Sequence, residues 1–410
     1  MAIIRPFKAI RPSRDKASLV ASRSYVTYSK SSLKDKLDTN PYTFLHIINP
    51  DYLDNQSKSK NEKFKLTKDR FNEFLEKEIL FKEKEESFYI YEQIREQKKF
   101  IGIIASVSID EYTNRKIKIH EETITKREEM FKNYLDIVGF NADPVLLTYT
   151  DNQIIDQIIN EYSENRAEYE FTTTNKVYHR LWKISDNILI KKIINVFKTI
   201  DSLYIADGHH RSASSSLLLK QRRKNNPNLN KNDNVNYFMS YLIPSSQLEI
   251  INFNRLVKLK DDLNAKEIIH KIEKSYIIKD MGKEPYSPNK EKEISMYIKG
   301  NWYSLTYNSK KSQLISENLD ASILSKNILS PILNIKDEKT DKNIHFLEGK
   351  IPLTNIKKKV DNKEFDIAFI LQPINIQDLK KVSDNNEIMP PKSTYINPKL
   401  RSGLTIYKID

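Results

Sequence analysis

The sequence contains no cysteine, which excludes a disulfide framework, a cysteine-ligated zinc site and a thiolate nucleophile. It also lacks any apolar run that approaches the roughly 18 residues needed to span a membrane, and its first residues lack the apolar core of a signal peptide. We therefore expect a cytoplasmic protein without a membrane segment. Its 410 residues are enough for two or three domains or for one large domain.

Arginine is scarce among the basic residues, at 15 of 68, although the formal net charge is +13. The lysines are interspersed with acidic residues instead of forming one basic block, which is typical of a diffuse, solvated surface rather than of a nucleic-acid-binding face. Such a surface could still steer a small anionic substrate toward a site. We therefore expect a small-molecule partner and no nucleic acid.

Strand-like and helix-like segments alternate through the first part of the chain, which predicts a mixed α/β or α+β sheet core. Residues 88–91 and 100–109 are predicted to be paired strands, and the second is apolar enough to be central. Residues 43–48 are predicted to form another strand, and residues 237–243 and 248–253 a hairpin.

Residues 203–213 predict a buried strand, a tight turn at Gly208 and a helix that runs to about Lys224. Asp207 is placed to cap this helix with its carboxylate. The side chains that follow are cationic or can become so, and they lie at the positive end of the helix dipole, where acids are preferred. A bound phosphate, held by the free N–H groups and these side chains, would explain the pattern. The candidate phosphate ligands are Asp207, Gly208, His209, His210, Arg211 and Ser212.

Two other interpretations of this turn stay open. The histidines could form a helix cap that packs against a neighbouring element. They could also ligate a metal ion, although adjacent side chains diverge on a helix, so both cannot easily face one ion.

A second candidate cluster consists of His120, Glu121 and Glu122, which follow a predicted strand. An imidazole and carboxylates at a strand end suit general-base catalysis or Mg²⁺ binding. The alternative is a solvated group of charges at the start of a helix, where glutamate is common.

A third candidate is the segment from Met389 to Gly403, in which two adjacent prolines stiffen a loop rich in basic and hydroxyl side chains. Such a loop could clamp phosphates at little entropic cost, and its candidate contacts are Lys392, Ser393, Thr394 and Arg401. The alternative is a rigid basic connection without a ligand.

Together these motifs resemble one family over nearly the whole chain. They are Arg5-Pro6-Phe7-Lys8-Ala9 with Arg11-Pro12, Asn40-Pro41-Tyr42, His120-Glu121-x-Thr123, Leu203 to Arg211, Met389 to Thr394, Pro398-Lys399 and Gly403-Leu404. The family is the uncharacterised DUF1015 group. Its Asp-Gly-His-His-Arg turn is in turn similar to the phosphate-binding box of the ParB/sulfiredoxin superfamily, whose members bind CTP, ATP or ADP and include free-serine kinases.

This resemblance implies an α+β fold with a ParB/sulfiredoxin-like nucleotide-binding core, elaborated by additional strands and helices. The core would comprise residues 1–50 and 100–260, with an auxiliary subdomain at 261–375 and a C-terminal segment at 376–410 that returns to the site. It also implies a kinase that transfers a phosphoryl group from ATP or ADP to a small hydroxylated metabolite, with Mg²⁺ on the phosphates. The catalytic residues would be His120, Glu121, His209 and His210, and the metal ligands Glu121 and Glu122.

One position departs from the pattern that the resemblance predicts. A Pro-Tyr-Asp run is expected near the N-terminus, but the chain has Ser24-Tyr25-Val26. If that acid is the catalytic base in the family, its role here is in doubt or passes to Glu121.

Two other functions remain alternatives to a kinase. A nucleotide-binding regulator of the ParB type would need a helix-turn-helix or a basic helix after the motif, and the residues after Lys224 instead predict strands and hairpins. A metal-dependent hydrolase would use His120 with His209 or His210 and would bind a transition metal.

Overall fold

The computed structural model describes residues 2–24, 27–52, 58–260, 264–308 and 312–410. The chain divides into two units, of which the first comprises Met1–Leu248 and Pro398–Asp410 and the second Glu249–Asn397. Helices and strands are mixed in both units, which confirms the predicted α+β class. Within the described residues, none of the helices combines the length and the apolar character needed to cross a membrane.

The helices are α1 Ala17–Val20, α2 Lys30–Thr39, α3 Leu45–Ile48, α4 Lys60–Glu76, α5 Ile109–Thr113, α6 Thr125–Val138, α7 Gln153–Ser163, α8 Asn187–Lys198, α9 His209–Asn225, α10 Ala265–Glu273, α11 Asp320–Leu324, α12 Leu353–Asp361 and α13 Ile376–Asp384. The strands are β1 Ile4–Arg5, β2 Ile10–Pro12, β3 Leu80–Lys82, β4 Phe88–Arg95, β5 Lys98–Ser108, β6 Ile117–Lys118, β7 Phe140–Asn141, β8 Val145–Tyr149, β9 Tyr169–Thr172, β10 Val177–Ile184, β11 Leu203–Asp207, β12 Tyr237–Pro244, β13 Glu249–Ile251, β14 Phe253–Val257, β15 Tyr276–Gly282, β16 Glu293–Ile298, β17 Asn301–Tyr307, β18 Ile344–Glu348, β19 Ile367–Ile370, β20 Tyr395–Asn397 and β21 Tyr407–Lys408.

The first unit is built on a mixed sheet with the strand order β6-β11-β8-β12-β5-β4-β10-β9, and β1 pairs with β5. The predicted pairing of residues 88–91 with 100–109 is confirmed, because β4 and β5 are antiparallel neighbours. β5 is buried from Phe100 to Ser108, as its apolar sequence predicts. At one edge, β6 and β11 run parallel, so their C-terminal ends lie side by side.

Gly102 lies where β5 approaches β12 most closely. A Cβ atom at this position would lie 2.2 Å from the carbonyl oxygen of Leu242, and a strand backbone in a sheet centre cannot move away cheaply. We expect Gly102→Ala to lower the free energy of unfolding by about 1–3 kcal/mol, the usual cost of overpacking. Urea denaturation followed by circular dichroism measures this change, and an unchanged midpoint would contradict the close approach.

Two predicted elements are wrong. Residues 43–48 contain the short helix α3 rather than a strand, since a single turn places Phe44 and Ile47 together in the buried cluster around Phe71. Residues 237–243 form no hairpin with 248–253, because β12 pairs with β5 and β8 instead. Both errors arise from short apolar runs, whose periodicity does not separate helix from strand and does not specify a pairing partner.

The second unit contains an antiparallel sheet with the order β15-β17-β16-β19-β14-β18. On this sheet, the guanidinium of Arg255 is fully buried and lies 5.3 Å from the ring centroid of Phe346. Its Nη1 donates to the carbonyl oxygen of Phe253 at 2.6 Å, and its Nε lies 3.8 Å from Oε2 of Glu338. Burial lowers the pKa of Arg255 to about 10, with Glu338 opposing this shift, and burial raises the pKa of Glu338.

Candidate functional site

The predicted strand, turn and helix of residues 203–213 are present as β11, Gly208 and α9. β11 is buried between β6 and β8, so the turn emerges at a fixed place on the edge of the sheet. Gly208 has a φ of 107°, a backbone conformation that favours glycine. Helix α9 starts directly afterwards, and the N–H of Ser212 donates to the carbonyl oxygen of Gly208 at 3.0 Å. The N–H groups before Ser212 therefore belong to the helix start that suits an anion.

Asp207 does not cap α9 as predicted, because Gly208 occupies the N-cap position. Its carboxylate instead accepts hydrogen bonds from Nη2 of Arg211 and, at 2.7 Å, from Nζ of Lys399. Burial would raise the pKa of Asp207, but the charges of Lys399 and Arg211 outweigh burial and hold that pKa at about 2. Arg211 and Lys399 together carry one positive charge more than the Asp207 carboxylate that they bind.

Two histidines meet beside this turn. The rings of His120 and His209 lie 4.6 Å apart between centroids and at 90° to each other, and only 2% and 7% of these residues is exposed. Burial lowers the pKa of His120 to about 4, although a hydrogen bond with the backbone of Ile205 opposes this shift. Burial and the neighbouring His120 lower the pKa of His209 well below its usual range. Both rings are therefore neutral at pH 7 and add no positive charge.

Glu121 completes this cluster. One oxygen of its carboxylate and one ring nitrogen from each of His120 and His209 all lie within 4.8 Å of one another. Glu121 is partly exposed, so the cluster is buried on its histidine side and accessible on its carboxylate side. A neutral base, a carboxylate and helix N–H groups are thus brought together from two parts of the chain.

A model of the family described as proteins of unknown function, DUF1015, matches residues 4–322. The chain belongs to the DUF1015 family. No curated protein matches the sequence significantly.

Several solved structures resemble this DUF1015 protein over about three quarters of its length. Free serine kinase in complex with AMP has a TM-score of 0.38 and 13% identity, and the match covers 74% of this chain and 91% of that chain. A conserved hypothetical protein from Pyrococcus furiosus also has a TM-score of 0.38 and 13% identity, with 74% and 94% covered. C-terminally truncated SbnI from Staphylococcus aureus has a TM-score of 0.39 and 13% identity, with 74% and 87% covered. The side-chain geometry, and not this distant likeness, supports the function proposed below.

The other predicted phosphate contacts of this DUF1015 protein are divided between the two units. Arg401 is buried in the first unit, where its Nη2 donates to Thr173 and Asn175 at the turn between β9 and β10. Residues 392–394 belong to the second unit, in which Nζ of Lys392 lies 5.2 Å from the ring centroid of Phe253. Their contact with a phosphate stays a prediction.

The cluster of His120, Glu121 and His209 does not include two further predicted site residues, Glu122 and His210. Glu122 is exposed, and His210 is partly exposed one position further along α9. The unexpected residue Val26 lies outside the described residues, as does Tyr25.

Lys399 is the site residue that the sequence did not single out. Its partner Asp207 is 192 positions away in the chain, so no local pattern reports the ion pair. The only signal was its place in the basic Pro398-Lys399 segment, where several other cations were equally plausible.

Proposed function

We propose that this DUF1015 protein is a nucleotide-dependent phosphotransferase that acts on a small hydroxylated metabolite. The observation that carries the proposal is the convergence of Glu121, His120 and His209 on the start of a long helix that follows a left-handed glycine. Phosphoryl transfer needs little covalent chemistry from the protein, and positioning and charge stabilisation supply most of the catalysis. Under this proposal the site would supply both the positioning and the charge stabilisation.

The nucleotide phosphates would lie against the backbone N–H groups between Gly208 and Ser212. Glycine at the turn leaves room for phosphate oxygens close to the backbone. His210 and Arg211 would contact the phosphates from the exposed side of the turn. The charges of Lys399 and Arg211 balance the carboxylates of Asp207 and Glu121, so the backbone N–H groups of the helix start would supply the main attraction for the anion.

The acceptor hydroxyl would lie near Glu121, whose carboxylate would take its proton as the phosphoryl group arrives. Mg²⁺ would neutralise charge on the phosphates, and Glu122 would hold it while Glu121 acts as the base. The neutral rings of His120 and His209 would act as hydrogen-bonding partners of the reacting groups rather than as cations.

The activity is tested with purified full-length protein, ATP or ADP, Mg²⁺ and pooled amino acids and sugars. We expect a phosphorylated product detectable by mass spectrometry and a nucleotide-dependent rise in melting temperature. Absence of both results would overturn the proposal. A melting shift without any product would favour a nucleotide-binding regulator, although within the described residues the chain after α9 leads into β12 without a helix-turn-helix.

Gly208→Ala tests whether the turn holds the nucleotide. A Cβ atom on Gly208 would lie 3.0 Å from the guanidinium of Arg211, in a backbone conformation that costs an L-residue about 1–2 kcal/mol. We expect at least about tenfold weaker nucleotide binding, or 1.4 kcal/mol, measured by calorimetric titration.

Gly300→Ala is the matched control for this variant. Gly300 also has a positive φ, of 89°, but a Cβ atom there would meet no described atom within 4 Å. It should lose similar stability while keeping its nucleotide affinity. Equal affinities of the two variants would exclude a role of the Gly208 turn in binding.

A further inference from the structure

We propose that His120, Glu121 and His209 bind a divalent transition metal of the Zn²⁺ class. The site does not rest on the proposed phosphotransferase function, and because Glu121 would be a ligand of the ion, it would act as the base only in the metal-free protein. Two imidazoles and one carboxylate are a donor set that suits Zn²⁺ and related ions, whereas Mg²⁺ prefers oxygen ligands and retains several waters. The three ligand atoms already lie within 4.8 Å of one another.

The sheet topology brings these ligands together. Strand β6 runs parallel to β11, with Lys118 opposite Tyr204 in the register. His120 and Glu121 follow the end of β6, and His209 follows the end of β11 after one turn. The ends of parallel neighbours meet at one edge of a sheet, so this pairing sets the spacing of the ligands.

A second observation that points to a bound ligand is the surroundings of one ring nitrogen of His209. Its Nε2 is buried and has no hydrogen-bond partner among the described residues, although the residue is only 7% exposed. Buried polar atoms are normally paired, and an orphaned one calls for an explanation. The lone pair of a neutral imidazole nitrogen is what a metal ion would use.

The geometry fits an ion after a small adjustment of side chains. Metal–ligand bonds of about 2.0–2.1 Å place tetrahedral ligands about 3.3–3.4 Å apart. Glu121 is partly exposed, so its side chain is the ligand with the most room to adjust. Three protein ligands with an open side leave a coordination position for water or a substrate oxygen, as in catalytic zinc sites.

Asp207 supplies a carboxylate outside the ligand set. Its negative charge acts on the rings of both His120 and His209. The hydrogen bond between His120 and the backbone of Ile205 is the contact that would orient a ligand ring, as outer-shell partners do at metal sites. The negative charge of Glu121 would partly offset the charge of the ion, whereas Asp207 is already paired with Arg211 and Lys399.

The site is tested by stripping the full-length protein with a chelator and titrating it with Zn²⁺ and, separately, with Mg²⁺ in a calorimeter. We expect one Zn²⁺ per chain and an affinity for Mg²⁺ at least about 100-fold weaker. His209→Ala and Glu121→Gln should each weaken Zn²⁺ binding by about 100-fold or more, since loss of an outer-shell partner alone costs ~10–100-fold. Co²⁺ loaded instead of Zn²⁺ should give a visible absorption band that both variants lose.

His270→Ala is the control for adventitious binding, because His270 is an exposed histidine on α10 whose side chain is 78% accessible. It should bind Zn²⁺ like the wild type. Glu121→Gln keeps the test valid if His209→Ala fails to fold, since it changes a partly exposed side chain. Equal Zn²⁺ affinity of the wild type and Glu121→Gln, or preference for Mg²⁺, would overturn the metal site.

Nucleotide binding is measured in parallel on the metal-free protein. Nucleotide binding without a Zn²⁺ site would reject only the metal proposal. A Zn²⁺ site without nucleotide binding or product would reject only the phosphotransferase.

Discussion

Glu121→Gln is expected to lower the turnover number for phosphoryl transfer by about 10²–10⁴-fold, the range typical for loss of a general base. The amide keeps the size and position of the side chain but can neither accept the hydroxyl proton nor provide a negative ligand oxygen. Since the phosphates would be held by the backbone around Gly208, the nucleotide affinity should change much less. Single-turnover kinetics and a separate binding titration measure the two effects.

Glu122→Gln separates the two adjacent carboxylates. Glu122 is exposed and Glu121 lies in the histidine cluster, so at saturating Mg²⁺ we expect the large loss only at Glu121. Glu129→Gln, an exposed position on α6, controls for the removal of one negative charge nearby. If Glu122→Gln alone abolished turnover, the assignment of the base would have to move by one residue.

Glu338→Ala is expected to reduce the free energy of unfolding by about 3 kcal/mol, because it would leave the guanidinium of Arg255 buried without its carboxylate partner. Nε and Nη2 of Arg255 have no hydrogen-bond partner among the described residues, so loss of Glu338 would leave the guanidinium with even fewer compensating contacts. Urea unfolding followed by circular dichroism and by tryptophan fluorescence measures the loss. Trp302 lies in the second unit and Trp182 in the first, and each can report on its own unit when the other is replaced.

The double variant Arg255→Met with Glu338→Leu removes both charges and should recover most of this stability. This comparison is informative because a buried ion pair stabilises the folded protein little more than apolar side chains of similar volume do. If the double variant were as unstable as Glu338→Ala, packing around Glu338 rather than the unpaired buried charge of Arg255 would explain the loss.

The sequence predicts those parts of the fold that are determined by residues close together in the chain. The apolar run of β5, the glycine after β11 and the length of α9 follow from residues that are adjacent in the chain. The wrong strand at residues 43–48 shows the limit of that information, since Phe44 and Ile47 are helical in order to reach a cluster made by distant segments. Strand β12 shows the same limit, because its partners are 90 or more positions away.

The sequence predicts the individual residues of the candidate site but not their arrangement in space. His120, Glu121 and His209 were each recognisable by residue type, but only the parallel pairing of β6 and β11 sets their mutual distances. The charges were harder to predict than the positions. His209 was expected to be capable of positive charge, and burial keeps it neutral instead. Asp207 was expected to cap a helix, and Lys399 and Arg211 bind it instead.

The path of the chain between the two units affects the order in which the turn acquires its charges during synthesis. The first unit leaves off at Leu248 and resumes at Pro398, so the ribosome makes the whole second unit before it reaches Lys399. A nascent chain can form β11, Gly208 and α9 with only Arg211 to neutralise Asp207. The ion pair between Asp207 and Lys399 therefore forms late, and the turn at Gly208 reaches its final electrostatic state only after the second unit has been translated.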